Sequence, residues 1–238
     1  MAAEATLITH CGAQRVTRQE LAAFVPPPPT ATWKPIKHSD LVDALHAALA
    51  RRALQVRHEQ YAVQHQGTML FGTLDLAWGA TGDYAAALGL RTANDKSMAL
   101  QLAVGLKIVV CDNLAFAGDL IALRRKHTAG LDLTRDLARA LDRYQERFPL
   151  LTAGVERLHH TPLTEPAAKA VIYDLFAQRI IPLRFFPLVV RAYHEVDVPR
   201  YGATLWALHN AVTAQIKALP PGPAFRATVR LGQLLGLR

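Results

Sequence analysis

The stretch LQVRHEQYAVQHQGTMLFGTLDLAWGATGDYAAALGLR, residues 54–91, decides the fold class. Leu54 to Val63 alternates in part between apolar and polar side chains, the period of a strand with one buried face. Thr68 to Ala77 is rich in strand formers, and Gly67 marks the turn before it. Trp78 to Asp83 is turn chemistry, and Tyr84 to Arg91 returns as a third strand. Connections this short cannot carry parallel crossovers, so the three strands are expected as an antiparallel meander.

Upstream, residues 38–53 read as a helix. Ser39 is its expected N-cap, Leu41, Val42, Leu45 and Leu49 form one apolar face, and Arg51 and Arg52 suit its C-terminal end. Residues 1–37 read as an arm. Thr17 to Phe24 is one short helix, Pro26 to Pro29 must run extended, and Trp33 and Pro35 are anchors. Such an arm either offers itself to an aromatic groove or lies along its own domain.

Downstream, Asn94 or Asp95 is expected to cap a short apolar helix over Lys96 to Val104. Lys107 to Cys111 reads as a buried strand and Asp112-Asn113 as a turn. Leu114 to Leu123 reads as a partner strand interrupted at Gly118. Helices then dominate. The clearest covers 131–148, with Leu133, Leu137, Leu141, Tyr144 and Phe148 on one face. Others are expected over 165–179, with Thr164 as cap and Pro166 in the first turn, over 202–219 and over 224–235. A proline-broken apolar segment runs to about Tyr193. The expected fold is α+β: an antiparallel sheet with packed helices, followed by a helical C-terminal half. Its organisation is an N-terminal extended arm (1–37), an α+β core (38–130) and a helical region of the same domain (131–238).

The 238 residues are 51% hydrophobic and 19% charged, which excludes a disordered chain. Two cysteines, Cys11 and Cys111, cannot make a disulfide framework or a four-thiolate zinc site. The N-terminus lacks a secretory pattern and no run is long and apolar enough to span a membrane, so a reducing, cytoplasmic setting is expected. Lys and Arg number 27 against 19 Asp and Glu, a formal charge of +8. From Val198 onward there are basic residues and no acid. An excess placed toward one end suits a polyanionic partner; the plainer reading is solubility charge.

Candidate chemistry is sparse. Arg124-Arg125-Lys126-His127 is a basic cluster with no acid inside it, suited to gripping a phosphate backbone or to forming an exposed turn. Arg91, Lys96 and Ser97 flank the expected helix start after Asn94-Asp95, where backbone N–H groups would receive an anion. The glycine spacing of a P-loop is missing. Arg135, Arg139, Arg143 and Arg147 recur every four residues and form one stripe. That stripe either tracks phosphates or is neutralised by Asp132, Asp136, Asp142 and Glu146. Cys111 with Asp112 and Asn113 carries no Cys–His motif and reads first as a structural cysteine. Ten histidines show no metal-ligand spacing, so no metal or cofactor is expected. Asn210, beside His209 near the apolar face of its helix, is expected to make a structural hydrogen bond.

Three stretches together resemble a phage- and plasmid-associated family, domain of unknown function 932. They are Pro28 to His38; Phe71-Gly72 with Leu88 to Ser97, including Asn94, Asp95 and Ser97; and Val104 to Phe116 with Arg125 to Thr128. Cys111-Asp112-Asn113 and Arg125-Lys126-His127-Thr128 are the most specific parts. Trp206, Asn210, Ala211, Thr213 and Lys217 are similar to the family's C-terminal segment. The family carries no established activity, so the resemblance assigns no catalytic residue. The inferred element order, helix, three strands, helix, strand pair, helices, is also similar to that of ring-forming single-strand annealing proteins. The resemblance therefore implies a non-enzymatic protein that binds single-stranded nucleic acid, as a homo-oligomer that assists annealing. Its expected phosphate contacts are Arg91, Lys96, Arg124, Arg125, Lys126 and His127. Two alternatives are an enzyme that gathers Cys111, Asp112, Asn113 and His127 around one pocket, and an interaction module that uses the proline arm or the last helices.

Overall fold

The computed structural model describes residues 13–78, 84–108, 113–115, 121–219 and 221–237. The chain divides into two compact units. The first holds Met1–Gly105 and Leu120–Glu146, the second Leu106–Asp119 and Arg147–Arg238. The boundaries after Gly105 and after Glu146 fall inside secondary-structure elements.

The first unit is built on the expected meander. Strands β2 (Val56–Gln64), β3 (Met69–Leu76) and β4 (Tyr84–Ala93) pair antiparallel, with Tyr61 opposite Gly72 and Leu74 opposite Leu88. A short strand, β1 (Gln14–Val16), adds to β2. On the other side lie β5 (Leu100–Ile108) and β7 (Ile121–Arg125), while β6 (Asn113–Ala115) pairs with the end of β5 in the second unit. In this unit β7 pairs antiparallel with the first half of β5. The alternation has a physical consequence. Leu70, Leu74, Leu88, Leu90, Leu102 and Leu123 are buried on one face. Met69, Phe71, Thr73 and Asp75 are half-buried on the other.

That result corrects the helix expected over Lys96 to Val104. Those residues form a turn followed by β5. Leu100, Leu102 and Val104 are all fully buried, a period of two that the short polar lead had masked. The anion site expected at that helix start is absent with the helix. The order of elements on which the likeness to annealing proteins was drawn is altered in the same way. The partner strand expected over Leu114 to Leu123 is two strands, β6 and β7, and both pair with β5. Asn113, expected in a turn with Asp112, opens β6. Asp112, Cys111 and Cys11 lie outside the described residues.

Two helices cover the leucine face. Helix α1 (His38–Ala50) buries the expected Leu41, Val42, Leu45 and Leu49. Its N-cap is Lys37, not Ser39, whose hydroxyl turns to Asp40. His46 on α1 bonds Glu59 on β2 at 2.6 Å. Helix α2 (Leu133–His160) is longer than expected, because the backbone continues through Pro149. In this unit Leu137, Ala140, Leu141 and Tyr144 are buried, and the Tyr144 hydroxyl donates to the Gly105 carbonyl at 2.9 Å. Arg52, at the end of α1, reaches Asp142 and the Ala138 carbonyl and joins the two helices.

The arm lies along its own unit. Thr17 to Phe24, expected as a short helix, contains one 3-10 turn over Glu20–Ala23, with Leu21 fully buried. The β2–β3 turn takes three successive left-handed residues, His65 (φ 51°), Gln66 (φ 55°) and Gly67 (φ 85°). The Gly67 carbonyl accepts from the His38 ring at 2.8 Å. A Cβ at Gly67 would run into the Phe24 ring. Left-handed backbone and overpacking both count against a side chain here. Gly67→Ala is expected to cost about 2–4 kcal/mol in urea denaturation. A change under about 0.5 kcal/mol would mean the arm does not press on this turn.

The second unit is mostly helical, as expected for the C-terminal half. Besides β6 and the end of α2 it contains α3 (Glu165–Ala177), α4 (Phe186–Arg191), α5 (Val198–Tyr201), α6 (Leu205–Ile216) and α7 (Pro221–Leu234). Thr164 caps α3 through the Ala167 N–H, and Thr204 caps α6 through the Ala207 N–H. The proline-broken segment between α3 and α5 includes a 3-10 turn at Leu183–Phe185 and a π turn at Ala192–Asp197. At its core Trp206 stacks on His159 with ring centroids 4.1 Å apart, and on His209 at 5.6 Å. The Asn210 side chain donates to the Trp206 carbonyl, the structural bond expected of it. No helix among the described residues is long and apolar enough to cross a membrane.

Candidate anion-binding cleft

The site lies in the first unit, where β7 runs beside α2. On β7 Leu123 turns inward, while Arg124 and Arg125 stay exposed as the strand ends. On α2 the four-residue spacing brings Arg139 and Arg143 to the flank that faces β7. Together these residues line an open cleft of about 560 Å³, with Ala122, Asp136 and Asp142. Four guanidinium groups and two carboxylates line this one cleft.

The carboxylates are already taken. Arg125 donates to both oxygens of Asp136, at 3.0 Å each, and Asp136 is only 3% exposed. That fork raises the Arg125 pKa above its ordinary value. Asp142 is held by Arg52 at 2.7 Å. Arg143 is half committed, donating from Nη2 to the Ala122 carbonyl at 2.7 Å and from Nε to the Arg139 carbonyl at 3.3 Å. Arg124 and Arg139 have no carboxylate partner among the described residues. Arg124 also lowers the pKa of Arg91, although burial is the larger cause. The cleft therefore presents two uncommitted cations at its rim.

The other residues singled out in the sequence separate into distinct roles. Arg91 is partly buried on β4 and donates to Gln101 at 2.8 Å. Gln101 stands opposite Arg124 on the neighbouring strand. Lys126 is exposed beyond β7. His127 was expected to touch phosphate, but its ring is 3% exposed and bonded to Thr92 at 2.7 Å. Burial holds its pKa below the usual range, with His38 adding to the effect. Asn94 is a clamp for the arm. Its side chain accepts from the Ile36 N–H at 3.0 Å and donates to the Ile36 carbonyl at 2.7 Å. Asp95 and Ser97 close the β4–β5 turn on each other. Lys96 has φ 69° and sits 5.1 Å over the Trp33 ring. Trp33 itself pairs with Thr128, and Lys34 donates to the His127 carbonyl.

The stretches that looked most distinctive, around Asn94 and around His127, thus seat the arm on the sheet. Asn94→Ala would leave both polar groups of Ile36 without their partner. It is expected to cost about 2–3 kcal/mol of stability and to raise protease cleavage between Phe24 and Lys37. Unchanged cleavage would mean the arm is held by other contacts. The residues that sequence reasoning left aside as site candidates are Arg139 and Arg143. Their four-residue spacing was the available signal.

A family model described as Domain of unknown function (DUF932) matches residues 29–221. No curated protein and no solved structure matches the chain.

Proposed function

This chain belongs to the DUF932 family, whose description assigns no activity, and we propose that it binds single-stranded nucleic acid without enzymatic turnover. The observation that carries this reading is the cleft between β7 and α2. Two guanidinium groups, Arg124 and Arg139, line it with no carboxylate partner among the described residues, and Arg143 stands beside them. Guanidinium forks match phosphate oxygens, and each phosphate bound releases counterions. The net charge of +8 attracts a polyanion from a distance. About 560 Å³ is the size of a small-ligand site. A site of that size suits a short stretch of one strand. On this reading Arg125, held in its fork with Asp136, and His127, which is buried, are not among the phosphate contacts. Strand annealing is the task that such binding would serve.

The test is an anisotropy titration of a labelled single strand at two salt concentrations, with a duplex as competitor. The expected result is tight binding at low salt, steep weakening at the higher salt, and weak competition by duplex. Equal affinity at both salts, or no binding at low salt, overturns the reading.

A further inference from the structure

Arg124, which lines the cleft, stands on the sheet face turned away from α1 and α2, and the strand register shows what that face carries. Side chains directly opposite each other on paired strands share a face. Ala62 stands opposite Phe71, and Phe71 opposite Arg91. Arg91 donates to Gln101, and Gln101 stands opposite Arg124. One row thus crosses β2, β3, β4, β5 and β7. It runs from Phe71 through the Arg91 guanidinium to Arg124, which also lines the cleft. The next residues on this face, Gln60 and Thr73, are half-buried and polar, and Gly89 opposite Thr73 keeps it flat. On the opposite face the corresponding residues are leucines with no exposure, such as Leu70 and Leu74.

A flat sheet with one half-buried aromatic ring, a guanidinium plane next to it and a cationic edge has the chemistry that receives unstacked bases. We infer that the Phe71–Arg91–Gln101–Arg124 row is a base-stacking platform, on which bases of a single strand lie while its phosphates are held in the adjoining cleft. The inference rests on the nucleic-acid reading above and adds to it where the bases go. A single strand is the occupant favoured by charge and by continuity. The row ends in Arg124, which belongs to the phosphate site as well, so a strand gripped there runs directly onto the sheet. A duplex keeps its bases stacked internally and gains nothing from such a surface.

The experiment compares a labelled oligothymidine with an abasic strand carrying the same number of phosphates, by anisotropy at low salt. The wild type is expected to prefer the oligothymidine by about tenfold or more. Phe71→Leu, which keeps apolar bulk without a ring, is expected to lose most of that preference and leave the abasic strand unaffected. Phe71→Trp is expected to retain it. If the wild type binds both strands equally, the platform is wrong and the phosphate site stands. If it binds neither, both readings fall. If Phe71→Leu weakens both strands alike, the ring is structural and the inference is overturned. A second copy of the chain is the competing occupant. Dissociation of an oligomer by Phe71→Leu, seen by sedimentation with strand preference intact, assigns the face to self-association instead.

Discussion

At pH 4.5 the protein is expected to be less stable than at pH 7, and His209 is expected to be the largest single cause. His209 is buried beside Trp206, and burial with His159 nearby lowers its pKa to about 4. An exposed histidine in the unfolded chain titrates near its ordinary 6.5. Above that pH both states are neutral and stability is complete. As pH falls from 6.5 toward 4 the unfolded chain takes up a proton that the folded chain refuses. The loss through His209 alone is about 3 kcal/mol. His38 and His127 are shifted down by burial and add in the same direction. Asp197 opposes them. Its pKa is raised to about 6 by burial, so its contribution is complete below 3.8 and fades as pH rises through 6. One carboxyl against three histidines leaves a net loss on acidification. Urea denaturation of the wild type and of His209→Leu at both pH values checks this. An equally steep pH dependence in the variant would remove His209 as the cause.

The second large effect separates two adjacent arginines. Replacing both Arg124 and Arg139 by alanine is expected to weaken single-strand binding by about tenfold to a hundredfold, with little change in thermal stability. Neither has a carboxylate partner among the described residues. Replacing Arg125 by alanine is expected to do the reverse. It strips the buried Asp136 of its fork, so stability falls while affinity for the strand changes little. Thermal unfolding and anisotropy on the same preparations read both quantities. If Arg125→Ala lowers affinity as much as the double variant does, the division of labour in the cleft is wrong.

The meander over residues 54–93 was legible because its three runs of strand formers are separated by short, glycine-marked turns. The α1 face and the Thr164 cap were legible for the same kind of reason, since each is written within a few residues. What escaped depends on distance along the chain. Leu100, Leu102 and Val104 alternate inward, yet Asn94-Asp95 before them looks like a helix cap. Only the neighbouring strands show that Asp95 closes a hairpin turn and that Asn94 reaches back 58 residues to Ile36. Pro149 reads as a stop, but it takes an exposed position and the helix continues. The cleft was half visible. The basic run at 124–127 and the arginine stripe on α2 stand out separately. Pairing Arg125 with Asp136 requires β7 to lie beside α2, and that packing frees Arg124 and Arg139 while it removes Arg125. His127 follows three cations, but it falls at the inward end of the run, where Thr92 receives it.

The most direct test of the phosphate-binding cleft is the salt dependence of single-strand affinity, measured over several salt concentrations for the wild type and for Arg124→Ala/Arg139→Ala. Each phosphate contact on a single strand contributes about 0.7 to the slope of log affinity against log salt. The double variant is therefore expected to show a slope shallower by about 1.4. Identical slopes in the two proteins would contradict the assignment, because the strand would then be held by charges elsewhere.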